Sequence, residues 1–527
     1  MSEVVIPGLT IPEVMSGYAN WQPDREAIIC GDQRLTWAEF VADYHRAANA
    51  LIAWGLKKGD KVCLLMRNCP EMVVMIFAVV KAGGIVVPLS PLFEPQGIAR
   101  MINRSDGRLL FATEGNLKKI EVVQNDLTGL SKDCKIAVDF QMDGWIGFDD
   151  FCAGASADDP RVPLSLDDDF NIMYTSGTTG EPKGTIHSHL SRLLYPLGWG
   201  LAIGIDSHTT ALLATPLYHN GTWMTMLPTL HFGGKVVIMP KFDPAEFLRL
   251  VQAEKCTHSF VVPTQLIVTM ELANFDDYDT RPLQLIFTGG SPLPGTTFDD
   301  VQRRFPHSDL MEIYGMSEGF GTMIGPEDYA RGKGGSVGRP LHFINTDVKL
   351  IGPDDKEVAP GEIGEIVGTS ALVMKGYYKD PARTEETLWH DGAGRTYLRS
   401  GDLGRIDDDG YIYIVGRSKD MIISGGVNIY PVDIEEVFMK HPDISEVAVI
   451  GVPHDKWGET PLLLALRKDG AAVSETDLMN WGNEQLAKYQ RVSGVEFRDA
   501  FPRNALDKIL KRELRLHYWE GRESEIV

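Results

Sequence analysis

The stretch KVCLLMRNCPEMVVMIFAVVKAGGIVVPL, Lys61 to Leu89, reads as strand, helix, strand. KVCLLM is an apolar run of strand length, and IVVPL is a second β-branched run. Between them, Pro70 opens a helix at the one position where a missing N–H costs nothing, and Gly83-Gly84 closes it after Lys81. Two strands joined through a crossover helix form a βαβ unit, which places the chain in the α/β class.

The same texture extends outward from this unit. Alternating β-branched runs and amphipathic stretches fill Ala27 to Phe111, and further strand-like runs occur at Leu212–Pro216, Lys235–Met239, His258–Val262 and Leu283–Thr288. These predict a large N-terminal domain of stacked α/β sheets. Between Asp347 and Ile414, short strands separated by Gly and Asp turns (GEIGEIVG, GRIDDDGYIYIVG) predict a small β-rich subdomain, with Asp407 to Asp409 as a turn. After Arg417 the pattern restarts as a compact α+β unit. A helix opens at Pro431, ISEVAVIGV and PLLLALRK read as strands, and Ser474 with Asp477 caps another helix. The predicted division is 1–418 and 419–527.

At 527 residues, 43% apolar and 24% charged, the composition is that of a folded multi-domain protein. A formal charge of -22 argues against nucleic acid or an anionic membrane as partner, since both demand clustered Lys and Arg. The longest apolar stretch, Met72 to Val80, is well short of the roughly 20 residues of a membrane span. Six scattered cysteines without zinc or redox spacing, and a start lacking a signal-peptide pattern, predict reduced thiols and a cytoplasmic location.

Chemistry concentrates first in YTSGTTGEPKG, Tyr174 to Gly184, where three glycines, four Ser/Thr hydroxyls and Lys183 follow a strand-like run. Such a loop brings backbone N–H groups and hydroxyls against phosphate oxygens without obstruction, and Lys183 adds a point charge. It is not a Walker A loop, because Lys183 precedes its glycine rather than following one, and no strand leads into a GxGxxG turn. His187 and His189 lack the carboxylate or cysteine company of a metal pair, and His454 reads as structural.

With TPLYHN (Thr215–Asn220), TGGSPLP (Thr288–Pro294), YGMSE (Tyr314–Glu318), YLRSGDLGRIDDDGYIYIVGRSKDMI (Tyr397–Ile422), ISGGVNIYP (Ile423–Pro431) and PRNALDKILKREL (Pro502–Leu514) following in order, the chain resembles the adenylate-forming superfamily along nearly its whole length. KAGGIVVPLSP, Lys81 to Pro91, is similar to its early structural motif. The resemblance implies an ATP-dependent acyl-CoA synthetase that makes an acyl-adenylate and then the CoA thioester, releasing AMP and pyrophosphate, with a small mobile C-terminal domain. It implies nucleotide contacts from Thr175, Ser176, Gly177, Thr178, Thr179, Gly180 and Lys183, and from Gly289, Gly290, Ser291, Tyr314, Gly315, Met316 and Ser317. Tyr314 would stack on adenine, Asp402 would accept from both ribose hydroxyls, and Arg417 would contact ribose and phosphate. Glu318, with Thr175, would hold Mg²⁺.

By the same resemblance Lys508 is the adenylation lysine, although Asp507 stands before it where glycine is usual, and Lys419 is the hinge. His219 would sit between the acyl pocket and the thiol path. The pocket itself would draw on Asn220, Gly221, Met224, Thr264, Gly290, Met316, Phe320 and Gly321, a set without charge that suits a medium-chain fatty or an aryl or cyclic acid. Ser424, Gly425, Gly426 and Trp457 would line the CoA approach, while Gln490 and Val492 depart from the family pattern around Tyr489 and Arg491. A carrier protein loaded in trans, luciferase-type oxygenation and a catalytically silent nucleotide-binding scaffold are the competing readings, and homodimer formation is left open.

Overall fold

The computed structural model describes residues 9–130, 132–175, 182–291, 293, 295–425, 427–503 and 508–520. The predicted Ser176, Gly177, Thr178, Thr179, Gly180 and Gly426 lie outside them. The chain divides into two compact units: residues 1–334, 340–347 and 369–387 make the first, and residues 335–339, 348–368 and 388–527 the second.

The βαβ reading of Lys61 to Leu89 holds in the first unit. Strands Lys61–Leu65 and Ile85–Pro88 pair in parallel, joined by helix Pro70–Lys81. Every side chain of that helix from Met72 to Val80 is apolar and buried, so it is a core helix with no solvent face. Gly83, at φ +82°, ends it in the left-handed conformation that costs glycine least, and the Gly84 N–H reaches back 2.8 Å to the Val79 carbonyl. Lys81, the one charge on the inner face, is 2% exposed and meets Asp159 at 2.9 Å.

Among the described residues these strands belong to an eight-stranded sheet ordered Gly376–Tyr377, Lys183–Ser188, Asp169–Thr175, Ile85–Pro88, Lys61–Leu65, Gly107–Ala112, Lys135–Ala137 and Ile146–Gly147. Eight strands of a second sheet run, in order, Gly321–Ile324, Asp309–Gly315, Leu285–Gly289, His258–Val261, Thr210–Leu213, Lys235–Ile238, Glu26–Cys30 and Gln33–Thr36. Its inner run is parallel, with helices packed on it around Leu212, Val237, Phe247, Leu248, Ile286 and Phe305.

In the second unit the β-rich stretch forms one sheet from Asp347–Ile351, Gly364–Thr369, Thr396–Ile406 and Leu388–His390, with Ile412–Arg417 added on Thr396–Ile406. The acidic run is a turn: Asp407 Oδ1 accepts from the N–H groups of Asp409 and Tyr411. A second sheet gathers Val427–Ile429, Ile422–Ser424, Gly458–Arg467, Ile444–His454 and Val495–Phe497 beside helices Pro431–Phe438, Glu475–Asn483 and Lys511–Trp519. Ser474 caps the middle helix as predicted, accepting from the Asp477 N–H at 3.1 Å. Among the described residues no helix is long and apolar enough to cross a membrane, and all six cysteines are buried.

Candidate active site

Strands Asp169–Thr175 and Lys183–Ser188 pair in antiparallel register, Thr175 opposite Lys183 and Tyr174 opposite Gly184. They bring both ends of the glycine-rich segment to one edge. Gly184 is required there, because a Cβ would stand 2.8 Å from Ile172 and 3.2 Å from the Tyr174 ring. Strand Gly376–Tyr377 lies beside Lys183–Ser188 and supplies Tyr377, which sequence reasoning missed. The Tyr377 hydroxyl donates to Glu318 Oε1 at 2.6 Å, while Lys183 Nζ stands 3.4 Å from that hydroxyl and 4.8 Å from the ring centroid. Burial, then the charge of Glu318, push the phenol pKa up, so it remains a donor. Lys183 and Glu318, 135 positions apart by number, are thus joined through one phenol.

Glu318 is 8% exposed and sits on a tight turn between strands Asp309–Gly315 and Gly321–Ile324. Met316 N–H donates to the Phe320 carbonyl, Gly319 N–H to the Met316 carbonyl, and Met374 N–H to the Glu318 carbonyl. Gly319 adopts φ +123°, and a Cβ would come within 2.3 Å of the Leu372 carbonyl oxygen, so no other residue fits. Tyr314 lies on the first strand, its ring edge-on to Phe320 at 6.4 Å. Gly289, at the end of the neighbouring parallel strand, is hemmed in by the Ile313 carbonyl, with Gly290 following at φ +91° and then Ser291. The two predicted adenine segments are therefore adjacent strand ends of one sheet.

Among the described residues no three His, Cys, Asp or Glu side chains gather into a metal site. A buried carboxylate joined through one phenol to Lys183 nevertheless fits Mg²⁺, which takes one or two carboxylates and completes its shell with phosphate oxygens and water.

His219 caps helix Asn220–His231, its Nδ1 accepting from the Gly221 N–H at 3.3 Å. Burial pushes its pKa down to about 4, so the ring is neutral at physiological pH. A Cβ on Gly221 would stand 2.6 Å from Phe260, and one on Gly321 3.7 Å from Trp199. Asn220, Met224 and Phe320 are buried, and Thr264 and Met316 half-buried. His187 and His189 are both buried and uncharged, burial being the main cause, and among the described residues neither joins a metal cluster.

In the second unit, Asp402 and Arg417 face each other across paired strands, with Arg417 Nε 3.0 Å from Asp402 Oδ1. Lys508 stands in the field of both. Its segment is pinched by an Arg503–Ile509 bridge and by the Leu510 N–H on the Pro502 carbonyl at 2.8 Å. Burial, and next the charge of Arg417, bring the Lys508 pKa down to about 8 against the opposing pull of Asp402 and Asp420. Gly425, at φ +59°, lies under Trp457: a Cβ would be 2.7 Å from the indole, and the Gly425 N–H donates to the Trp457 carbonyl at 2.8 Å. Glu459, 3% exposed, accepts from the Ile423 N–H and from Arg515, whose other nitrogen reaches the Lys419 carbonyl at 3.3 Å. His454 orders the turn before Trp457, accepting from the Lys456 and Trp457 N–H groups.

Residues 17–378 match the family model of AMP-binding enzymes, and residues 433–508 that of the AMP-binding enzyme C-terminal domain. A long-chain-fatty-acid–CoA ligase of Mycobacterium tuberculosis is 34% identical over 92% of this chain and 94% of its own. A feruloyl-CoA synthase of an Amycolatopsis species is 34% identical over 95% and 97%. Among solved structures, ATP-bound MatB from Rhodopseudomonas palustris superposes with a TM-score of 0.86 at 29% identity, covering 97% of this chain and 99% of that one. The o-succinylbenzoate CoA synthetase of Bacillus subtilis, bound to its acyl-adenylate, gives 0.82 at 28% identity over 95% and 98%.

Proposed function

The chain belongs to the AMP-binding enzyme family and is an AMP-forming acid–thiol ligase, and from that premise we propose how its own residues divide the work. The observation carrying the proposal is the Lys183–Tyr377–Glu318 cluster at the base of the glycine-rich segment. A cation for the phosphates and a carboxylate for their metal are held together before any ligand arrives, which spares reorganisation at the moment of reaction.

In the first half-reaction the substrate carboxylate attacks the α-phosphorus of ATP, the bond to the pyrophosphate oxygen breaks, and acyl-AMP stays bound. Tyr314 and the Gly289–Ser291 backbone hold adenine, Asp402 the ribose, Arg417 ribose and phosphate, and the 175–183 segment the departing pyrophosphate. Lys508 places its ammonium where charge builds on the α-phosphate. Glu318, together with Thr175, would hold Mg²⁺, which when bound would supply charge neutralisation to the phosphates.

In the second half-reaction the CoA thiolate attacks the acyl carbonyl and AMP leaves. We assign the hinge for that exchange to Lys419, with residues 419–527 moving as the C-terminal domain. The thiol approach falls to Ser424, Gly425, Gly426 and Trp457. His219, neutral and engaged as a helix cap, serves as a wall between acid and thiol and not as a base. An uncharged pocket around Gly221, Met224, Thr264, Phe320 and Gly321 favours a medium-chain fatty or an aryl or cyclic acid. Six buried, scattered cysteines without zinc or redox spacing support a cytoplasmic setting.

ATP–pyrophosphate exchange across a panel of fatty, aryl, dicarboxylic and amino acids, followed by thioester assay with CoA, tests this reading. Exchange with fatty or aryl acids that leads to a CoA thioester is the expected result. Exchange confined to amino or dicarboxylic acids would discard the pocket assignment, and an acyl-adenylate inert to CoA would point to a carrier-protein acceptor.

A further inference from the structure

Arg192 is the anomaly of the first unit. It lies on helix His189–Ala202, is 0% exposed, and among the described residues no carboxylate pairs with it. A guanidinium stays charged inside a protein, and burying it without a counter-ion is costly unless its donors are satisfied. Here three neutral acceptors take three of its five N–H donors. Nε donates to Asn171 Oδ1 at 2.7 Å, Nη1 to Asn220 Oδ1 at 2.8 Å, and Nη2 to His187 Nδ1 at 3.1 Å. The rings of Tyr195 and Trp223 lie 4.7 and 4.9 Å from the guanidinium carbon, supplying cation–π attraction.

Where those acceptors sit gives the arrangement its meaning. Asn171 is on the strand entering the glycine-rich segment, and His187 on the strand leaving it. Asn220 opens the helix that His219 caps. Since His187 Nδ1 accepts from Arg192, its proton is on Nε2, which donates to the Ser317 carbonyl at 2.8 Å. Ser317 immediately precedes Glu318. One planar fork thus reaches both flanks of the phosphate segment, the acid-side helix and, through a single imidazole, the turn bearing the metal carboxylate.

We propose that Arg192 is a positioning residue that, through Asn220 and through His187 to Ser317, holds the acid-side helix and the Glu318 turn at a fixed separation. The inference rests on the ligase reading for the identity of those two segments. A lysine could not substitute, because a point charge cannot meet three acceptors in one plane.

The test uses the full chain and two readouts, MgATP affinity by calorimetry at several Mg²⁺ concentrations and acid KM in pyrophosphate exchange, with thermal unfolding as the control for folding. Arg192→Met and Arg192→Lys should each weaken MgATP binding about tenfold, raise the Mg²⁺ needed for half-saturation and raise acid KM. His187→Leu, which cuts only the relay, should reproduce the MgATP and Mg²⁺ effects with acid KM unchanged. His187→Gln, whose amide offers both an acceptor and a donor, should recover most of the lost affinity. A folded Arg192→Met or His187→Leu protein with wild-type MgATP affinity and Mg²⁺ dependence overturns the proposal. If Arg192→Met fails to fold, the His187 pair alone decides. Wild-type chain that binds MgATP but exchanges with no acid would sink the ligase reading while leaving the relay open to judgement by calorimetry, and absence of MgATP binding overturns both.

Discussion

Raising the pH through 8 should switch off the first half-reaction, because Lys508 loses its proton there and not near 10.5, where an ordinary lysine does. With its pKa at about 8, the ammonium form makes up about 90% at pH 7 and about 10% at pH 9. The kcat/KM for ATP in pyrophosphate exchange reports the free enzyme, so it should fall about tenfold per pH unit above 8. Lys508→Arg keeps its charge throughout and should give a flat alkaline profile from a lower plateau, the guanidinium being the wrong shape for the site. Lys508→Met should lower exchange by roughly two to three orders of magnitude. Its effect on stability has the opposite sign. Because the folded chain holds the proton less tightly than the unfolded chain, the charge costs at most about 3 kcal/mol at neutral pH. That cost is fully present below pH 8 and gone above 10.5, so the methionine variant should melt at higher temperature at pH 7 and lose the advantage in alkali. A wild-type profile flat to pH 10, or an arginine variant with the same alkaline limb, would refute the assignment.

Tyr377→Phe removes the hydroxyl between Lys183 and Glu318 and should lower kcat/KM for ATP by roughly one to two orders of magnitude with little change in melting temperature, measured by exchange and calorimetry. If the proposed thiol approach over Gly425 holds, Trp457→Ala should spare pyrophosphate exchange and raise the KM for CoA in the complete reaction, since the indole covers Gly425; equal losses in both assays would remove it from the CoA path. Gly319→Ala meets the Leu372 carbonyl and a backbone reserved for glycine, so a loss of at least about 2 kcal/mol in denaturant unfolding is expected.

Local chemistry was legible where a pattern repeats. The Pro70–Lys81 helix and its flanking strands announce themselves through periodicity, proline and glycine, and the Ser474 cap through a three-residue spacing. What pairs with what was not legible. Strand Glu26–Cys30 lies beside Lys235–Ile238 with Ile28 opposite Val236, a choice made by tertiary packing across a long stretch of chain. Tyr377 went unnoticed because a tyrosine in MKGYYKD has no spacing to mark it; only the alignment of its strand beside Lys183 gives it a partner. Arg192 was passed over for a different reason: an arginine in a helix usually faces water, and nothing nearby in sequence signals three buried amide and imidazole acceptors. His187, weighed in the sequence only as half of a metal pair, instead accepts from Arg192 and donates to the Ser317 carbonyl, contacts that no local spacing announces.

Glu459 has a bearing on how this enzyme could be rebuilt. By gripping the Ile423 amide and Arg515, which also touches the Lys419 carbonyl, it gears Lys419, strand Ile422–Ser424 and helix Lys511–Trp519 together like teeth on one wheel. A hybrid that imported only the final helix from a relative would strip that gear, leaving a buried acid facing an unmatched surface. Grafts should therefore be cut before residue 419, so that all three parts travel as a set.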